Sequence, residues 1–111
     1  MTTYVLFGVK APTLDAARDE IEKILHVSLD TREGIHNGGN YYSLGFPTMR
    51  LKLRNNIDLD DDEMEFGGLS EPDFPDSPFL LYLNDAETFP HIQAALEGAP
   101  ELFVKLRTDV V

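Results

Sequence analysis

Between Ile57 and Asp76 the chain reads IDLDDDEMEFGGLSEPDFPD, with nine carboxylates and no Lys or Arg. Burying unpaired carboxylates costs more than packing returns, and Asp60, Asp61, Asp62 and Glu63 in direct succession repel one another. The core must therefore be assembled from what lies on either side. Residues 57–77 are expected to form an acidic surface loop, long and poor in periodicity. Extending the window to Glu101 gives thirteen acids and still no base, whereas the remainder has nine bases against seven acids. The formal charge of −11 is thus concentrated in one region, which must be solvated or meet something positive.

A chain of 111 residues is long enough for one core of a sheet and two helices, so 1–111 is expected to be a single domain. An apolar fraction of 42% is that of a globular protein, so the acidity does not imply general disorder. The absence of cysteine excludes disulfides, thiolate zinc sites and thiol catalysis. MTTYVLFGVKAP has no basic leader and is not read as a secretory signal. The longest apolar run, Phe79 to Leu83, is far short of the ~20 residues a membrane span needs. Nucleic acid and anionic lipid would both be repelled at close range. A cytoplasmic protein with a basic protein partner, and neither a membrane nor direct nucleic-acid contact, fits best.

Thr3–Val9 is rich in aromatic and β-branched residues on both alternations and predicts a central strand. Thr13 can cap a helix over 14–26, with Leu14, Ala17, Ile21, Ile24 and Leu25 on one side and Arg18, Asp19, Glu22 and Lys23 on the other. Asp30–Asn40, with three glycines and two asparagines, reads as loop. Tyr41–Phe46 reads as a strand. Met49–Asn55 alternates strictly and predicts another, with Met49, Leu51 and Leu53 inward and Arg50, Lys52 and Arg54 outward. That basic row is either a solvated, cation-guarded face or a surface that receives the acidic segment within the molecule. Phe79–Leu83 predicts a buried strand, Asp85–Glu97 a second helix ended by Gly98, and Leu102–Thr108 a last strand reached by a parallel crossover. The expected fold is an α/β (α+β) sandwich in the order β-α-β-β-β-α-β, with a mixed sheet of about five strands and two helices. A ferredoxin-like fold is the alternative.

Chemistry is sparse. A calcium loop begun at Asp58 places Asp60 and Asp62 correctly but has Glu63 where glycine is needed and Leu69 where the bidentate Glu belongs. His26, His36 and His91 match no metal spacing, and no serine sits in a nucleophile elbow. The chain is read as a binding protein, not an enzyme, with no cofactor and no metal. In the adjacent Tyr41 and Tyr42, strand alternation predicts one ring in the core and one exposed as an interface anchor, both packed being the alternative.

ILHVSLDTREGIHNGGNYYSLG, with its helix end, glycine pair and double tyrosine, together with the acid-rich loop, resembles bacterial immunity proteins of contact-dependent growth inhibition and other polymorphic toxin systems. The resemblance implies that the chain neutralises a cognate toxin C-terminal domain, basic and expected to be a nuclease, by electrostatic and steric occlusion of its cleft. Partner contacts would then fall on Asp58, Asp60, Asp61, Asp62, Glu63 and Glu65, with Phe66, Tyr41 and Tyr42 as anchors and Met64 and Phe74 as further candidates. A nucleic-acid-mimicking regulator of a housekeeping nucleic-acid-binding protein is the alternative.

Overall fold

A computed structural model describes residues 2–34, 39–44, 51–56, 71, 73–86 and 90–111. Strand β1 (Thr3–Val9) has the bounds predicted from its composition, and Val5, Leu6, Phe7 and Val9 are all buried. Helix α1 (Leu14–Leu25) begins where the Thr13 hydroxyl accepts from the Ala16 N–H at 3.0 Å, with Asp15 in the positive first turn. It ends at His26, whose left-handed φ of 56° turns its N–H back onto the Glu22 carbonyl. The Glu22 carboxylate then accepts from the Leu29 N–H at 2.7 Å, securing the exit toward β2 (Asp30–Gly34).

β2 corrects the expectation of a loop over Asp30–Asn40. DTREG carries no apolar alternation, but its backbone pairs with β3 (Gly39–Leu44) from Asp30↔Ser43 to Gly34↔Gly39. An edge strand of a hairpin is held by main-chain bonds, which composition does not report. β4 (Leu51–Asn55) pairs with β3, and β5 (Phe79–Leu83) lies between β4 and β1. Helix α2 (Pro90–Glu97) is shorter than the predicted Asp85–Glu97. Asp85 has a φ of 59°, a left-handed turn that no α-helix contains. Gly98 follows, its N–H on the Ala94 carbonyl at 3.0 Å. β6 (Phe103–Val110) closes the sheet against β1.

Among the described residues the sheet order is β2-β3-β4-β5-β1-β6, six strands rather than five, and every pairing is antiparallel, so this sheet is not mixed. The predicted crossover over 79–108 does join two parallel strands, but β1 lies between them. β5 and β6 each pair antiparallel with β1. Without the β2–β3 hairpin, the elements β1, α1, β4, β5, α2 and β6 run β-α-β-β-α-β. This is the split arrangement of the ferredoxin-like alternative, extended at one edge by that hairpin.

Both helices lie on one face. Val5, Phe7, Val9, Tyr42, Leu51, Leu53, Leu81, Leu83 and Phe103 meet Ala17 and Ile21 of α1 and Ile92 and Leu96 of α2 in a single apolar cluster. No described helix is long and apolar enough to cross a membrane.

Candidate functional site

The other face of the sheet carries the charge. Cross-strand pairing puts Arg32 beside Tyr41, Ser43 beside Lys52, Lys52 beside Tyr82, and Arg107 beside Leu6. Residues directly opposite in an antiparallel pair share a face, so Arg32, Lys52, Arg54 and Arg107 lie on one surface. Of the row Arg50, Lys52 and Arg54 predicted to point away from the core, Arg50 lies outside the described residues, and Lys52 and Arg54 do lie on the face away from the helices but are half-buried and buried there. Arg54 is 5% exposed, and none of Arg32, Lys52 and Arg54 lacks a partner. Burial and the adjacent Arg54 charge push the Lys52 ammonium below its ordinary value, and its Nζ stands 5.3 Å from the Tyr82 ring centroid.

The described end of the acidic stretch lies across this surface. Glu71 accepts from both terminal guanidinium nitrogens of Arg107, at 3.0 and 3.2 Å, and from the Tyr82 hydroxyl at 2.8 Å. Burial pushes the Glu71 carboxyl up, but the hydrogen bonds from Arg107 and Tyr82 and the nearby Arg107 and Arg54 charges outweigh it and hold it below the usual value. Arg107 also binds Asp109 at 2.8 Å. Of the nine carboxylates in Ile57–Asp76, Glu71 is therefore neutralised within the molecule, whereas Asp73 and Asp76 are exposed.

Asn56 fastens this arrangement. It is 2% exposed, and its side-chain amide donates to the carbonyls of Glu71, Phe74 and Ser77 at 3.4, 3.0 and 3.0 Å. Its carbonyl oxygen accepts from the Glu71 N–H at 2.8 Å, and its own N–H donates to Pro78 at 2.9 Å. The last residue before the acid run and the first described residue after it are thus bonded to each other. Asn at the end of a basic strand gave no signal in the sequence beyond a turn residue. A buried amide satisfied by backbone from fifteen to twenty-one positions away has no local signature.

The predicted contact residues Asp58, Asp60, Asp61, Asp62, Glu63, Glu65 and Phe66, with Met64 and His36, lie outside the described residues. Tyr41 and Tyr42 do point to opposite faces, but both are buried, at 7% and 5% exposure, so neither ring is the exposed anchor expected of one of them. The reason is that the sheet is covered on both sides: Tyr42 joins the helix-side core and Tyr41 the charged side. The Tyr42 hydroxyl donates to Asp15 of α1, while Arg18 stacks over its ring at 4.9 Å and donates to its oxygen at 3.3 Å. Hydrogen bonding to Asp15 and burial both push the phenol up, so it stays neutral. Phe74 is half-buried, and His26 and His91 serve α1's end and α2's exposed start. Among the described residues no three His, Cys, Asp or Glu side chains converge as a metal would require. The chain matches no protein-family model and no curated protein.

Proposed function

We propose that this chain is a cytoplasmic immunity protein that binds a cognate toxin domain of basic character, a nuclease by expectation, and occludes its cleft with the acidic stretch Asp58–Glu65. The observation that supports the reading is the charge economy of the described residues that follow that stretch. The molecule's own Arg107 is committed to Glu71 and Asp109, while Asp73 and Asp76 next to Glu71 remain exposed. Asn56 and Glu71 give the intervening run a fixed root on the sheet. Carboxylates rooted in this way can stand in for phosphates in a cationic cleft. Opposite fields would raise association toward about 10⁸ M⁻¹s⁻¹ at low salt, as steered complexes do.

Converting Asp60, Asp61 and Asp62 to Asn and Glu63 to Gln tests this, with the cognate toxin domain as the partner. Stopped-flow association should slow by about tenfold or more at low salt, with a flatter salt dependence. Unchanged rates and salt slope would remove the acid run from the interface.

A further inference from the structure

We propose that the edge of β6 that no described strand covers is a strand-addition site for an extended segment of another protein, apolar on one face and cationic on the other. Among the described residues β6 is the last strand of the sheet. Thr2 and Val111 exchange both backbone hydrogen bonds at 2.8 Å, which fixes the phase of the ladder. Counting back along the register, Asp109 and Arg107 also bond to β1, while the N–H and C=O of Thr108 and Val110 point away from it. A bulge at Leu106 interrupts the phase, and Lys105 faces outward beyond it.

Side chains at this edge match an added strand. Among the described residues the exposed large apolar side chains are Tyr4, Val104, Val110 and Val111, at 41, 39, 57 and 80%, and all four lie along β1 and β6 or just beyond. Val104 forms one wall of a groove of about 440 Å³ whose other walls include Gly8, Ala11, Ser77 and Pro78. A residue placed opposite Val104 would form a non-hydrogen-bonded pair, the type in which side chains approach most closely, and would pack against the outer side of Val104, the wall of that groove. Backbone bonds would supply affinity and that contact selectivity, as in other strand additions.

Charge selects the occupant. Lys105 is already bound to Glu97 at 2.7 Å and Arg107 to Glu71 and Asp109, which leaves exposed Asp76 and Glu101 against exposed Lys10, a small negative surplus. Basic residues on the incoming strand complement this surplus. A second copy fits worse, since each brings a charge of −11 and the bulge limits self-pairing to a short arm. The claim concerns β6 alone and stands or falls separately from the toxin reading.

Thr108→Pro removes only an outward N–H, so it should leave the β1–β6 ladder and the melting temperature intact. The probe is a short acetylated peptide of alternating Val and Lys, with a scrambled peptide of equal composition as the charge control, at physiological salt. Amide exchange by NMR should slow at least about tenfold at Thr108 and Val110 in the wild type. Affinity should fall at least about tenfold in Thr108→Pro and in Val104→Asp, the latter keeping the backbone unchanged. Equal binding of the scrambled peptide, or of both variants, would overturn the proposal. Concentration-dependent protection of the same amides without peptide would assign the edge to a second copy and overturn it too.

Discussion

The two faces of the sheet are held by different physics. On the helix side, Phe7, Leu53, Leu81, Leu83, Ile21 and Leu96 are 1% exposed or less and belong to one apolar cluster. On the other side Leu6 and Leu80 are also buried, but beside them lie Lys52, Arg54 and a network in which Glu71 is hydrogen-bonded to Arg107, Tyr82 and Asn56. The first face needs shape and volume. The second needs each polar partner present, because a buried donor or acceptor left alone costs what the bond was worth and more.

The largest separation should come from Phe7→Ala, which opens a cavity in the helix-side core and is expected to cost about 3–5 kcal/mol in urea denaturation. A loss below about 1 kcal/mol would mean that this face is loosely packed. Next is Asn56→Ala on the opposite side. It strands the Glu71 N–H and removes the side-chain donor from three carbonyls, of which those of Glu71 and Phe74 keep a backbone donor, and should cost about 2 kcal/mol. Asn56→Asp should not rescue it, since the carboxylate has no donor for those carbonyls.

Glu71→Gln is expected to cost about 1 kcal/mol at neutral pH, reduced from a fully buried pair because Arg107 is partly exposed. Its pH signature is more telling. A carboxyl held below its ordinary range stabilises the fold above that range, and the contribution is lost as pH falls through the lowered folded value. The gap between wild type and Glu71→Gln in melting temperature should therefore narrow as pH falls below the ordinary glutamate range. A gap that does not narrow through acid unfolding would show that the Arg107 contact does not stabilise the fold. Smallest of all is Ser43→Ala. The Ser43 hydroxyl is fully buried on the charged face with no hydrogen-bond partner among the described residues, so its removal should be neutral or stabilising by up to about 1 kcal/mol. A clear loss would reveal a hydrogen-bonded role for it.

How legible each face was follows from the same contrast. β1 and β5 were readable to the residue, and α1 to within one, because apolar periodicity and the Thr13 cap are local properties. The basic alternation of β4 was equally plain, but the acidic residue described beside it, Glu71, pairs with Arg107 of β6 rather than with that row. That Arg107 of the last strand would supply this contact could not be seen, since β6 reaches the site only through β1. β2 was missed because the ladder that pairs it with β3 is backbone, and Asn56 because its partners are far away in sequence.

The sequence by itself determined which residues had to leave water, where the helices and inner strands began, and that its negative charge would be gathered in one stretch. These depend on side-chain chemistry within a turn or two. Only the tertiary structure decided that every strand pairs antiparallel, that both tyrosines are buried, and which cation meets which carboxylate. Those outcomes rest on contacts between distant segments, and the free energy of a buried polar contact depends on its partner, which no local window contains.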